Sequence, residues 1–247
     1  MKNTTVVKAA TLIAVCISLS ACGGGSSVAP VTPPVTPSIA NAQGFWSANL
    51  SNGSSASAVI LPNGQAWVVY QTGSNVTALA QASLSLNGTT YSSTGSYYNL
   101  PAGAVQNYNF SGSLPAANSG SLATSIAVGT GTPTALTWTY NKAYETAATQ
   151  GSVQGRWNGA FGAISVLWDL DAAGKLAGTS TTGCTYTGSI TPNTSPVAVL
   201  DVAVTESCAG TRKTLSGIAT LNAAKSVLSL AYTTPDRAQG GVLVFSK

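Results

Sequence analysis

From Gly44 onward, apolar and polar residues alternate with a period of two, and no window sustains the 3.6-residue apolar period of a helix. Ile164, Val166, Trp168 and Leu170 fall on one face of a strand, with Ser165, Leu167 and Asp169 on the other. Leu136, Trp138 and Tyr140 alternate in the same way with Ala135, Thr137 and Thr139. Between such stretches lie "SNGS", "LPNGQ", "LNGT", "DAAGK" and "NAAKS", which carry the Asn-Gly and Gly chemistry that tight hairpins need for positive φ. The pattern predicts an all-β chain, a meander of short antiparallel strands. In the second half it predicts eight of them, at 155–161, 163–170, 175–180, 183–190, 197–205, 213–221, 225–232 and 240–246. Eight strands can close into a barrel whose interior side chains fill, or which holds one small ligand, and closure removes exposed edges. A membrane-spanning barrel wants strands of about 9 to 11 residues with aromatic girdles, and most of these are shorter.

The two halves also echo one another. "GFWSANL" at Gly44 to Leu50 answers "GRWNGAF" at Gly155 to Phe161, an offset of 111 residues, and a Gly turn follows each, at Gly64 and Gly174. An alternating strand, "LTWTY" in one half and "LSLAY" in the other, completes the correspondence. A duplicated β domain of about 100 residues per copy is the expectation.

The first residues have another character. Lys2 and Lys8 precede an apolar stretch from Ala9 to Ile17 and then small residues, the three-part layout of an export signal. A spanning helix needs about 20 apolar residues, and this stretch is interrupted and stops at glycine. Leu19-Ser20-Ala21-Cys22 resembles the lipobox of bacterial lipoproteins. That resemblance implies cleavage before Cys22, a thioether-linked diacylglycerol on its sulfur and an acyl chain on its new amino group. Each buried CH₂ then adds about 0.8 kcal/mol to membrane attachment. "GGGSSVAPVTPPVTPSIANAQ", Gly23 to Gln43, reads as a Gly/Ser/Pro tether spanning about 25 Å as a coil. The expected domains are a signal at 1–21, a lipidated tether at 22–43, an N-terminal β domain at 44–150 and a C-terminal β-barrel at 151–247.

Cysteine usage fits that compartment. With Cys16 in the signal and Cys22 acylated, Cys184 and Cys208 remain, and an even pair in an exported chain is most simply a disulfide. No histidine and no further cysteine is present to complete a metal shell around them.

Lipobox, tether and two consecutive Gly-rich β-barrel halves together resemble the surface lipoproteins of proteobacteria, the group that includes transferrin-binding and factor H-binding lipoproteins. The resemblance implies capture of a host protein or nutrient at the cell surface. Gly-x-Trp on a first strand is also similar to lipocalins, in which the indole seals one barrel end beneath a late basic residue. Trp46 and Trp157 would be the matching indoles and Arg237 the basic residue of the second half.

Catalytic chemistry is thinly represented. Without histidine the usual serine triad and the commonest proton shuttle are missing. The carboxylates are Glu145, Asp169, Asp171, Asp201, Glu206 and Asp236, and none sits in a signature of paired catalytic acids. Asp169-x-Asp171-x-x-Gly174 hints at a calcium loop, but Ala173 and Ser180 stand where ligands are required, so a hairpin turn is expected. No catalytic, metal or cofactor residues are assigned. Removing Lys2 and Lys8 leaves eight basic residues against six acidic, a net of +2 with no basic stripe, which excludes a nucleic-acid binder.

One aromatic cluster stands out. "SYYNLPAGAVQNYNF" holds Tyr97, Tyr98, Tyr108 and Phe110 around Pro101 and Gly103. Tyrosines bracketing a loop make a candidate binding surface, and equally they are cross-strand pairs that stabilise a sheet. The expectation is thus a non-catalytic binding lipoprotein of the cell envelope, on the periplasmic or outer face of the outer membrane. It would be held by lipid on Cys22, with a protein partner and no cofactor. A lipocalin-like carrier of a small apolar ligand and an envelope hydrolase inhibitor are the alternatives.

Overall fold

The computed structural model describes residues 38–116 and 119–247; Cys22 and most of the expected tether lie outside them. Strands β1 (Gly44–Asn49), β2 (Ser55–Ile60), β3 (Gln65–Thr72), β4 (Asn75–Asn87), β5 (Thr90–Asn99), β6 (Ala104–Ser113), β7 (Ser121–Val128) and β8 (Thr134–Asn141) close into one barrel. Strands β9 (Gly155–Phe161), β10 (Ile164–Leu170), β11 (Lys175–Ser180), β12 (Thr185–Pro192), β13 (Leu200–Cys208), β14 (Thr211–Leu221), β15 (Val227–Thr233) and β16 (Gly240–Ser246) close into a second. Each strand is antiparallel to the one before it, so both barrels are simple meanders. The all-β, two-barrel organisation follows from the period-two alternation.

All eight strands expected in the second half are present. The start of β13 is displaced from 197 to Leu200 because the preceding residues leave the sheet to bond elsewhere. Ala148 donates to the Val197 carbonyl at 2.9 Å and Ala198 to that of Tyr144 at 3.0 Å, while Val197 and Val199 are buried. The strand of the second half equivalent to "LTWTY" is β16, "GGVLVFS"; "LSLAY" belongs to β15, one strand earlier.

Both interiors are filled. In the first barrel Ala48, Ala56, Ala58, Ala66, Ala78, Ala80 and Ala82 give room for Trp46, Tyr70, Tyr91, Tyr108, Phe110 and Trp138. Small residues opposite large ones are what a small barrel needs to close without a void. The register shows the same fit at single positions, since Gly112 stands opposite Tyr91 and Gly95 opposite Tyr108. A Cβ on Gly112 would lie 2.6 Å from the Tyr91 hydroxyl, so no larger residue is accommodated there. The second interior is packed by Trp157, Val166, Trp168, Leu176, Ile190, Leu200, Leu228, Leu230 and Phe245, with the Trp168 and Phe245 rings stacked at 4.1 Å.

One end of each barrel carries a short stopper. Before β1 a 3-10 turn, Ile39–Ala42, places Ala42 wholly inside, and the Trp46 indole N–H donates to the Ala42 carbonyl at 3.0 Å. Before β9 the single-turn helix α1 (Gln150–Val153) places Val153 inside, and the Trp157 indole donates to the Val153 carbonyl at 2.7 Å. The basic group over the Trp157 ring is Lys247, 4.6 Å from the ring centroid, and it replaces the expected Arg237. Arg237 lies instead in the β15–β16 turn with φ 57°. Trp46 meets the edge of Tyr140 at 5.1 Å rather than a cation.

The hairpins after these strands match as well. Gly64 and Gly174 both have positive φ, 84° and 81°. Their carbonyls accept from Leu84 and Ile190 respectively, each at 2.9 Å. Asp171 is a turn residue, its Oδ1 accepting from the backbone N–H groups of Ala173 and Lys175 at 2.9 Å each, which is the hairpin reading of "DLDAAGK".

Candidate functional site

The four residues expected to form a binding surface are packed inside the protein. Ser96 to Phe110 is mostly β5 and β6, leaving only Leu100 to Gly103 as a turn. Tyr108 and Phe110 are each 1% exposed and point into the first barrel, where Tyr97 packs against them. Ring centroids run Tyr70–Tyr97 5.7 Å, Tyr97–Tyr108 6.5 Å, Tyr108–Phe110 6.5 Å and Phe110–Trp138 6.3 Å. The hydroxyls of Tyr70 and Tyr108 are hydrogen-bonded at 3.0 Å, and burial pushes the Tyr70 phenol up to about 12. Alternation puts the neighbouring Tyr98 on the outer face, where it donates to the Arg237 carbonyl at 3.1 Å and packs on Gly240. The surface reading of Tyr97, Tyr98, Tyr108 and Phe110 is therefore corrected: three fill a barrel and one joins the two barrels.

That junction is the feature the alternation did not reveal. Leu61, Trp67, Leu79 and Tyr98 of the first barrel, Tyr144 of the connection, and Val197, Val199, Ile218 and Ala231 of the second form a buried apolar cluster between the barrels. The signal in the sequence was a local loss of alternation. "AWVVY" at Ala66 to Tyr70 and "ALAQA" at Ala78 to Ala82 are near-continuous small or apolar runs, as expected of strands buried on both faces.

Clefts flank this cluster. The larger, about 980 Å³, lies between Gln43, Tyr140, Lys142 and Glu145 on one side and Ser195 and Pro196 on the other. A smaller one of about 280 Å³ is bounded by Trp67 and Gln81 from β3 and β4 and by Ser216 and Thr233 from β14 and β15.

All six carboxylates of the chain have partners. Asp169 receives two hydrogen bonds from Arg156, at 3.0 and 3.2 Å, on an exposed surface where such a pair adds little stability. Asp201 accepts from the Asn193 amide at 2.7 Å, Glu206 from the Tyr186 hydroxyl at 2.8 Å, and Glu145 from the Tyr140 hydroxyl at 3.3 Å. Asp236 accepts from the Thr234 hydroxyl at 2.6 Å, and that bond, with one from the Ala238 backbone, lowers its pKa. Each carboxylate is thus tied into a turn, a strand pair or a neighbouring tyrosine.

Cys184 and Cys208 are joined by a disulfide at the foot of β12 and β13. Glu206 lies close enough to both sulfurs to form a three-ligand cluster, but sulfurs bonded to one another offer no thiolate.

No protein family matches the chain, and no curated protein matches it. Among solved structures it is similar to a vaccine antigen, transferrin binding protein B of Haemophilus parasuis Hp5, solved as a single Trp-to-Ala mutant. The identity is 7% and the TM-score 0.26, over 78% of this chain and 65% of that one, so this chain spans just under two thirds of that protein. A match at this level assigns neither a family nor a function.

Proposed function

We propose that this is a lipid-anchored protein of the bacterial envelope that works by binding, without catalysis, to a protein partner outside the inner membrane. The observation that carries the reading is that both barrels are solid. A carrier of an apolar ligand needs a lumen, and Trp46, Tyr108, Phe110 and Trp138 with seven alanines occupy one while Trp157, Trp168 and Phe245 occupy the other. Solid barrels joined by an apolar cluster supply a stiff scaffold, and rigid scaffolds present loops and outer faces to partners. The partnered carboxylates and the missing histidine support the non-catalytic part.

Two experiments test it. Cys22→Ser is expected to move the protein from the membrane fraction to the soluble fraction; unchanged partitioning overturns the anchor. The soluble Cys22→Ser chain, titrated with an apolar fluorescent probe, is expected to show no saturable uptake, and when immobilised to retain one partner saturably from the proteins outside the cell. Stoichiometric probe binding, or hydrolysis abolished by changing one of the six carboxylates, overturns the binding reading.

A further inference from the structure

The second barrel closes on a single pair. β9 and β16 meet in register only at Asn158 and Ser246, whereas every other neighbouring pair of strands in the two barrels shares three pairs or more. Alternate backbone N–H and C=O groups of β16 bond to β15, and the rest point into the seam. From Gly240 to Phe245 those seam-facing groups are not paired with β9. An unpaired row of this kind is a template for another chain, and proteins usually blunt it with lysine, proline or a bulge. β16 has none of these: it reads "GGVLVFS", and its register with β15 runs without a shift.

A groove of about 530 Å³ opens along the seam, and its walls are accessible. Asn158 and Ala160 of β9 and Val244 and Ser246 of β16 are all exposed there. Neither a charged residue nor a proline is among the described residues that line it. Three large apolar side chains are exposed among the described residues, and two of them belong here: Val244 at 45%, in the wall, and Ile164 at 39%, next to the wall residue Ser165. Val244 also borders a second recess of about 240 Å³, which Val59 of β2, Val69 of β3 and Val242 line with it. Those other three valines pack on the apolar cluster between the barrels, so Val244 continues an interface already built.

We propose that the seam between β9 and β16 takes an extended, uncharged segment of a partner protein as an added strand along β16. A row of unpaired N–H and C=O groups is matched group for group by another extended backbone, and the lining then selects the side chains of the added strand. Small β-branched residues on its outer face cover Val244 and reach the valine-lined recess beside it. A charged side chain there loses water against valines and meets no opposite charge in the lining. The inference rests on the binding reading above and gives it a surface and a kind of partner.

The test titrates the soluble full-length Cys22→Ser chain, labelled with ¹⁵N, with a capped peptide of about nine residues that alternates valine and threonine, the length of an ordinary strand. The seam-facing amides of Gly240 to Phe245 are expected to exchange rapidly in the free chain and to become protected as the peptide saturates it. The same peptide N-methylated at every residue, which has no donors, is expected not to bind. Val244→Lys, a change at an exposed position, is expected to weaken peptide binding about tenfold without lowering the melting temperature, and Val244→Thr to retain it. The proposal falls if those amides are already protected in the free chain, if the parent peptide does not protect them, or if the N-methylated peptide binds as well as its parent. Protection that rises with protein concentration in the absence of peptide, with a dimer in sedimentation, makes a second copy the occupant and overturns it equally. Capture of the protein partner separates this proposal from the broader one: capture that survives Val244→Lys removes the seam and leaves the broader reading standing, whereas no capture by the parent chain removes the broader reading.

Discussion

The indoles of Trp46 and Trp157 each reach back four residues to the carbonyl of a stopper, and each is buried where water cannot replace that bond. Trp157 carries a second tie, since Lys247 sits over its ring and donates to the Ser152 carbonyl at 3.3 Å. Trp157→Phe removes the donor and leaves the Val153 carbonyl unpaired, an expected loss of about 1 to 3 kcal/mol. Trp46→Phe is expected to lose less, because no cation is displaced with it. Denaturant midpoints of the two variants check the order, and an equal loss would mean that Lys247 contributes nothing. The Gly-x-Trp pair was legible in the sequence because it is local; its partners were not. Lys247 reaches Trp157 only because closure sets β16 beside β9, a pairing between residues far apart in the chain that no local pattern encodes. Tyr97 and Tyr98 make the same point, since their adjacency was plain but what lay on each side of their strand was not.

At the scale of elements, the disulfide joins the start of β12 to the end of β13 and closes a loop with a sequence separation of 24. In the chain-entropy account its reduction costs about 3.5 kcal/mol. The bond lies in the second barrel, but Ile218 and Ala231 of that barrel pack in the shared cluster with Trp67, Leu79 and Tyr98. Scanning calorimetry with and without reductant is therefore expected to show one transition displaced to lower temperature; two separated transitions would show that the cluster does not couple the barrels. Strands β9 to β13 were readable because each buries mainly one face and wets the other, whereas β3, β4, β14 and β15 bury residues on both faces, so alternation fades where the barrels meet. The disulfide was readable by counting once Cys16 was given to the export signal and Cys22 to the lipobox.

For the whole molecule, the dominant titration lies far above neutrality. There is no histidine, so no imidazole changes charge between pH 5 and 8. Burial pushes the phenols of Tyr70 and Tyr186 up to about 12, and raises those of Tyr91, Tyr108 and Tyr144 as well. An unfolded tyrosine ionises near 10, so the fold binds these protons more tightly than the unfolded chain does. Their contribution is complete below about pH 10 and is lost as the pH climbs from 10 through 12. Ionised-phenol absorbance is expected to rise in step with the loss of near-ultraviolet circular dichroism. Tyrosines ionising near pH 10 in an intact fold would contradict this assignment.

The stopper of the first barrel also decides where tension enters. Only three residues lie between Ser38 and Ala42, which is wholly buried with its carbonyl held by Trp46. A pull through the N-terminal chain is delivered to that stopper and then to β1, which is held by six register pairs to β2 but only three to β8. The seam between β1 and β8 is therefore the weaker of that strand's two edges, and it is expected to part first under a pull on the N-terminal chain.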